Sequence, residues 1–316
     1  FLGATSAVLR RPAPPVSWTI RLPDASPHSQ AAGFQGTYRP GDLVFLPPGA
    51  RFTVQAEPAT AAGTFSALGP AWAARGGLLP QAAPSSGALE ARAPETPGLY
   101  RLQWLYAQGA VLGGSFRVLV LHPACSITLG PRTSLLVRGQ VLTPYLAAER
   151  SGIEQIRQHA ERYRPPEYFA VLDGGTIELE VCPGLALGQF VAFMDRRGPD
   201  GRKMYLETRH TDLFPPSRPL CEKLRLLRDR LRARGVRLTR FWITSAFRTP
   251  EYNRAIGGAA FSRHCYGDAA DLVVDEDGDR RMDDLNGDGK SDLQDALIVA
   301  RACQELELEG QVCLLY

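Results

Sequence analysis

An imidazole and a carboxylate stand seven residues apart in the segment 261–272, FSRHCYGDAADL. His264 is one of only five histidines in the chain, and small residues separate it from Asp271. Gly267 lies between the two and permits a tight turn, which would bring the imidazole back over the residues around Asp271. These two side chains could supply two ligands of a hydrolytic zinc site, which usually has three protein ligands and one water.

Asp271 interrupts an otherwise apolar run. The stretch GDAADLVV predicts a strand with alternating side chains, so Asp271 lies on the face opposite Ala270 and Leu272. A carboxylate buried there without a partner would cost several kcal/mol. A metal ion, an arginine or hydrogen-bond donors could be that partner. The spacing alone therefore leaves open a metal pair, a buried His–Asp hydrogen bond and two unrelated residues.

Ten acidic and only three basic residues lie between positions 271 and 295, a local charge of −7. Within this segment, residues 284–295, DLNGDGKSDLQD, match the twelve positions of a calcium-binding loop, with Gly289 at the sharp turn. The predicted ligands are Asp284, Asn286, Asp288, the carbonyl of Lys290, Asp292 and Asp295. Aspartate at the last position resembles dockerin-like loops, and it shortens the reach of that ligand compared with glutamate.

A weaker second loop comes just before the first. Its predicted ligands are Asp275, Asp277, Asp279 and Asp283, and Arg280 stands where the loop pattern has glycine. For both loops, an acidic segment that is solvated and holds no ion is the alternative. If Ca²⁺ binds, it relieves the repulsion among the carboxylates, and we expect it to brace the strand that carries Asp271.

Two neighbouring motifs, SAFRTPEYNRAIGG and SRHCYGDAADL, resemble the signature of the M15 peptidases, a family of D-Ala-D-Ala carboxypeptidases and peptidoglycan endopeptidases. The resemblance is strong over residues 244–274 and weaker over 166–316. It implies a hedgehog/DD-peptidase-like α+β fold, a Zn²⁺ cofactor and a peptidoglycan peptide as the substrate. The implied reaction is hydrolysis of a peptide bond in that peptide.

The resemblance also implies a role for four residues. His264 and Asp271 would bind zinc, Arg248 would hold a substrate carbonyl or carboxylate and the developing oxyanion, and Ser262 would line the same pocket. From the residue types alone, Arg248 could equally form a surface salt bridge, and Ser262 could be a loop or cap hydroxyl.

The chain departs from the family pattern at the third zinc ligand. The family supplies a histidine, close to a general base, from a C-terminal segment, whereas this sequence has no histidine after His264. The final residues, GQVCLLY, resemble the strand just before that segment. We expect a fragment that stops short of it. The alternatives are a protein that has lost its catalytic metal and, less favoured, His210 as a substitute ligand.

The organisation predicted for the 316 residues is α+β with two domains. Short strands separated by Pro, Gly and Ser clusters predict an Ig-like β-sandwich over 1–122. Residues 123–165 are interpreted as a connector containing one short basic helix. The peptidase-like domain covers 166–316, with the calcium-loop insert at 275–295. Its clearest helix is the Leu-rich segment SRPLCEKLRLLRDRLRARGV.

The composition excludes some classes of protein and leaves others open. No run of 18 apolar residues exists, so we expect no membrane span, and a net charge of +3 is only a weak argument for nucleic acid. Six cysteines without a CxxC pair are compatible with disulfides or with buried thiols. The initial FLGATSAVL could be the end of a signal peptide or an arbitrary start, and we expect an exported bacterial protein. An inactive wall-peptide binder and a calcium-dependent adhesion or scaffold module are the alternative functions.

Overall fold

The computed structural model describes residues 17–57, 63–68, 88–106, 112–182, 184–191, 193–197, 203–209, 211–239 and 241–310. These residues form a mixed α+β structure with many short strands in small sheets and few helices. The predicted α+β class therefore agrees with the structure. No helix within the described ranges has the length and apolar character needed to cross a membrane.

Two four-stranded sheets form the N-terminal region. Their strands are Ser17–Arg21 (β1), Gly36–Tyr38 (β2), Leu43–Leu46 (β3), Arg51–Glu57 (β4), Gly63–Leu68 (β5), Ala88–Arg92 (β6), Gly98–Tyr106 (β7) and Leu112–Val120 (β8). The first sheet has the order β2-β1-β4-β6 and the second β3-β8-β7-β5. Pairing is antiparallel throughout except between β3 and β8. Trp18 of the first sheet packs on Phe116 of the second, with ring centroids 5.4 Å apart, so the apolar faces of the two sheets meet.

The residues interpreted as a connector contain a sheet that the sequence analysis did not predict. The strands here are His122–Pro123 (β9), Cys125–Leu129 (β10), Arg132–Val137 (β11) and Gln140–Leu146 (β12). β10, β11 and β12 form an antiparallel sheet whose buried side chains include Leu135, Leu142 and Tyr145. The short helix predicted after it is present as Glu154–Gln158 (α1), followed by the 3₁₀ turn Ala160–Tyr163.

Six short strands precede the long helix. They are Tyr168–Val171 (β13), Glu180–Cys182 (β14), Leu185–Ala186 (β15), Phe193–Arg197 (β16), Lys203–Arg209 (β17) and Leu213–Phe214 (β18). β13 lies between β9 and β18, and the other four strands form two hairpins, β14-β15 and β16-β17. β9 comes directly after the sandwich strands, so this small sheet joins the two halves of the chain.

The remaining elements carry the residues of interest. They are Arg218–Ala233 (α2), Phe241–Ser245 (β19), Pro250–Ala255 (α3), the 3₁₀ helix Arg263–Tyr266, Asp271–Val274 (β20) and Leu293–Leu308 (α4). The Ser217 hydroxyl caps α2 by accepting from the backbone N–H of Leu220, and Gly235 follows the helix at a φ of +86°. The leucines at the predicted three- and four-residue spacing are buried, which explains why this sequence forms α2.

The N-terminal region packs directly against the second half of the chain. The guanidinium of Arg218, at the start of α2, lies 5.1 Å from the ring centroid of Tyr38 and donates to the Thr37 carbonyl at 2.9 Å. The Gln30 side-chain amide accepts from the backbone N–H of Tyr168 at 2.8 Å and donates to its carbonyl at 3.0 Å. The boundary predicted between two domains is therefore closely packed where these residues lie.

Candidate metal centre

His264 is held by a hydrogen bond to the backbone just after β19. It lies in the 3₁₀ helix Arg263–Tyr266, and its Nδ1 is 2.6 Å from the carbonyl oxygen of Ala246. A carbonyl can only accept a hydrogen bond, so Nδ1 carries the ring proton and donates it. The other ring nitrogen, Nε2, is then left with its lone pair for another partner.

Asp271 supplies that partner. Its Oδ1 lies 3.4 Å from Nε2 of His264. Both atoms present lone pairs when the ring is neutral, so a cation between them, either a second ring proton or a metal ion, would stabilise the arrangement. Two ligands of a tetrahedral zinc ion, each at about 2.0–2.1 Å, stand roughly 3.3 Å apart, so the observed spacing fits zinc.

The surroundings of Asp271 correct one sequence expectation. The residue was expected inside an apolar strand, where an unpaired charge is costly. In the structure it is the first residue of β20, and its side chain is 53% exposed. β20 contains only four residues and pairs with β19 in a sheet of two strands, so Asp271 lies at the open end of that sheet. Its partners are therefore not explained by the need to neutralise a buried charge.

Arg248 is the second partner of Asp271. Its guanidinium donates to Oδ2 of Asp271 at 2.6 Å, and its Nε donates to the Ser245 hydroxyl at 2.8 Å. The interaction with His264, reinforced by Arg248, holds the pKa of the Asp271 carboxyl below its usual value. Asp271 therefore stays ionised at neutral pH, as a metal ligand must be. The backbone N–H of Arg248 also donates to the His264 carbonyl at 3.1 Å.

Ser262 lies two residues before His264, at the start of the same 3₁₀ helix. Its side chain makes no capping hydrogen bond there, so the structure does not support the alternative of a cap hydroxyl. Its predicted place in a substrate pocket remains a prediction.

A glycine and an asparagine shape the loop that carries His264. Gly267 has a φ of +77°, and a Cβ at this position would lie 2.3 Å from the carbonyl oxygen of Pro215. The side chain of Asn253, which is 2% exposed, donates to the Ala259 carbonyl at 2.8 Å. The sequence predicts the turn at Gly267. The buried bond of Asn253 has no sequence signal, because only the folded loop shows which carbonyl that amide reaches.

Comparison with known proteins gives a family for this part of the chain. Residues 205–286 match the family model described as Peptidase M15. This part of the chain, called the M15 segment below, is similar to that family. The M15 segment contains Arg248, Ser262, His264 and Asp271, and it covers about a quarter of the chain. No curated protein and no solved structure matches the chain.

The M15 segment includes the first three residues of the stronger predicted calcium loop, 284–295. In that loop the carboxylates bind backbone N–H groups of the loop itself. Asp284 accepts from Gly287, Asp288 and Gly289 at 2.7, 3.2 and 2.6 Å. Asp295 accepts from Leu285, Asn286 and Asp292 at 2.7, 3.2 and 2.8 Å. The loop has a defined shape, but a calcium ion in it remains a prediction.

The weaker predicted loop contains the one group of acidic side chains, among the described residues, that could converge on a metal ion. One carboxylate oxygen from each of Asp275, Asp277 and Asp283 lies within 4.8 Å of the others. Asp279, the fourth predicted ligand, is not in this group and accepts instead from the N–H of Arg281 at 2.8 Å. Arg280 adopts a φ of +67°, the conformation for which the pattern has glycine.

His210 and the cysteines were also considered in the sequence analysis. His210 and Cys313 lie outside the described residues. The other five cysteines are free thiols, and burial raises the pKa of Cys182 and of Cys265 to about 12. These two thiols are therefore protonated at neutral pH, which makes them poor nucleophiles and poor metal ligands.

Proposed function

We propose that this protein is a zinc-dependent peptidase that hydrolyses a peptide bond in peptidoglycan peptides, as a carboxypeptidase or an endopeptidase. The observation that carries the proposal is the 3.4 Å separation between Nε2 of His264 and Oδ1 of Asp271, inside a segment of the peptidase M15 family. Because such a substrate lies in the cell wall, we also propose that the protein is exported.

His264 and Asp271 would hold the zinc ion. When bound, zinc would polarise the scissile carbonyl and lower the pKa of a water molecule. The protein fixes both ligands beforehand. The bond from Nδ1 of His264 to the Ala246 carbonyl sets the tautomer and the direction of Nε2. His264, reinforced by Arg248, holds the pKa of the Asp271 carboxyl below its usual value. The third protein ligand and the general base are not assigned to any described residue.

Arg248 would also bind the substrate. Its Nε and one terminal nitrogen are engaged by Ser245 and Asp271, which orients the planar guanidinium. Arginine carries five N–H donors, so further donors remain for a substrate carbonyl or carboxylate. The same donors would stabilise negative charge that develops on the carbonyl oxygen during the reaction.

The decisive experiment measures zinc binding and cleavage with the full chain. Zinc stoichiometry is determined by competition with a chromophoric chelator, and cleavage of purified muropeptides is followed by mass spectrometry. We expect one zinc ion bound through His264, lost in His264→Gln and retained in the control His28→Gln. Equal zinc binding by wild type and His264→Gln would refute the proposal. Zinc binding together with muropeptide binding but no cleavage would support the inactive wall-peptide binder instead.

We further propose that Ca²⁺ stabilises the acidic segment and through it the end of β20. Asp275 directly follows β20, and the N–H of Asp283 donates to the Val274 carbonyl at 3.0 Å. The N–H of Glu276 donates back to Asp283 at 2.8 Å. An ion at Asp275, Asp277 and Asp283 would therefore act on the far end of the strand that carries Asp271.

The calcium proposal is tested by thermal unfolding with and without a calcium-selective chelator. We expect the chelator to lower the melting temperature of wild type and to lower that of Asp277→Asn by less, because only loop 284–295 then remains to bind the ion. A melting temperature that does not respond to calcium in wild type would leave the acidic segment as a solvated loop without an ion.

A further inference from the structure

A buried tyrosine from outside the M15 segment reaches the backbone beside His264. Tyr145 of β12 is 2% exposed, and its hydroxyl donates to the carbonyl of Cys265 at 3.2 Å. Cys265 is the residue after His264 in the same 3₁₀ helix. The Tyr145 ring also packs edge-on against Tyr266, with centroids 5.8 Å apart. A strand from residues 140–146 thus contacts two consecutive residues of the helix that carries the imidazole.

A second aromatic contact comes from the 3₁₀ turn Ala160–Tyr163. The ring of Tyr163 packs edge-on against Tyr266 at 5.6 Å and against Phe261 at 5.7 Å. These two partners stand on either side of His264 in the sequence. Tyr163 therefore contacts the chain both before and after His264.

Arg263 joins these contacts into one cluster. Its guanidinium lies 4.8 Å from the ring centroid of Tyr163 and 4.9 Å from that of Tyr266. It also donates to Asp268 through Nε at 3.0 Å, and to the Arg162 carbonyl. A planar cation that has two rings and a carboxylate as partners is strongly restrained in its orientation. Arg263 immediately precedes His264, so this restraint acts on the neighbouring residue.

We propose that Tyr145, Tyr163 and Arg263 form a positioning clamp for His264. Strand β12 and the turn Ala160–Tyr163 then help to orient this ligand of the metal centre. The inference rests on the proposed role of His264 as a metal ligand. The Ala246 carbonyl and the N–H of Arg248 restrain His264 from the β19–α3 side. The clamp adds restraints from two chain segments that precede the family match by more than 40 residues.

The clamp has a defined consequence for metal binding. The 3.4 Å separation between His264 and Asp271 depends on where the 3₁₀ helix lies relative to β20. A ligand pair that is held in place binds metal more tightly than one that must be ordered on binding. Loosening the clamp should therefore weaken zinc binding even though no clamp residue touches the ion.

The test compares two tyrosines that make the same kind of hydrogen bond. Tyr145→Phe removes the hydroxyl that donates to Cys265 and leaves the ring in place. Tyr38→Phe is the matched control, because Tyr38 is 3% exposed and its hydroxyl donates to the Phe34 carbonyl at 2.5 Å, within the N-terminal region. Arg263→Lys keeps the charge but loses the planar group that packs between two rings.

Two measurements on the full chain distinguish the positioning of His264 by the clamp from the binding of zinc by His264. The first is the imidazole NMR signal of His264 without metal, assigned with His264→Gln. The second is the zinc concentration at half saturation. We expect Tyr145→Phe and Arg263→Lys to shift or broaden the His264 signal and to raise the zinc midpoint about tenfold or more, the size typical for residues that orient metal ligands. We expect Tyr38→Phe to change neither.

Each outcome is informative. If wild type binds zinc through His264 and the Tyr145→Phe midpoint equals that of Tyr38→Phe, the clamp is refuted while the proposed function stands. If wild type binds no zinc but the clamp variants alter the metal-free His264 signal, the proposed function fails and the positioning of His264 is supported. If the variants alter neither readout, the inference is overturned.

Discussion

The His264–Asp271 pair and the acidic loops of residues 275–295 are built in opposite ways. In the loops, carboxylates accept hydrogen bonds from backbone N–H groups a few residues away, as Asp284 does from Gly287 and Gly289. The two side chains of the pair face each other from different elements, and each is held by residues from elsewhere in the chain. The loops are therefore local structures, whereas the pair depends on tertiary packing.

The largest expected effect is on zinc affinity and comes from removing the charge of Asp271. Asp271→Asn keeps the shape but loses the charge, so zinc affinity should fall by about 100-fold or more, because a neutral amide is a poor zinc ligand. Chelator competition measures the change. Asp279→Asn is the matched control, since Asp279 lies outside the convergent cluster. An equal loss of zinc in both variants would show that the loss does not report on ligation by Asp271.

The next effect concerns the loop geometry that the pair requires. Gly267→Ala introduces a Cβ against the Pro215 carbonyl at a positive φ, so we expect a loss of about 2–4 kcal/mol in the free energy of unfolding. Denaturant unfolding measures it. Gly287→Ala is the control, because Gly287 also has a positive φ, +78°, but has open space around it. It should cost only about 1–2 kcal/mol. Equal losses would show that contact with Pro215 is unimportant.

A smaller effect tests the local character of the acidic segment. Asp292 caps α4 by accepting from the N–H of Gln294 at 2.7 Å. Asp292→Ala should therefore cost about 1 kcal/mol of stability, whereas Asp292→Ser, which can still cap the helix, should cost less. Chemical unfolding without calcium measures both. If the two variants are equally destabilised, the cap contributes little, and the start of α4 depends on more than local hydrogen bonds.

The smallest effect is on stability at low pH. The pKa of Asp271 is lower in the folded state than in the unfolded state. The charged carboxylate therefore contributes fully to the free energy of unfolding above the unfolded pKa, and this contribution is lost as pH falls through the folded pKa. The acid limb of the stability curve below about pH 4 should thus be shallower in Asp271→Asn than in wild type. Identical acid limbs would show that His264 and Arg248 do not stabilise the carboxylate.

Much of the local structure was predictable. Leucine spacing predicted α2, and the strand predicted from GDAADLVV is present as β20. The motifs around Arg248 and His264 predicted the segment that the family model matches. The sheet of β10, β11 and β12 was not predicted, because its strands are short and alternate weakly, with exposed apolar residues such as Ile127 and Leu129.

The sequence by itself determined which residues could act. It indicated His264 and Asp271 as a candidate pair, the family that this segment resembles, and the order of aspartates in the two loops, because residue type and spacing are local properties. Tertiary structure alone decided that Nε2 of His264 faces Asp271, that Arg248 pairs with the same carboxylate, and that Tyr145 supports the helix from 120 residues away. These contacts join distant parts of the chain, and no local pattern encodes which distant groups will meet once the core is packed.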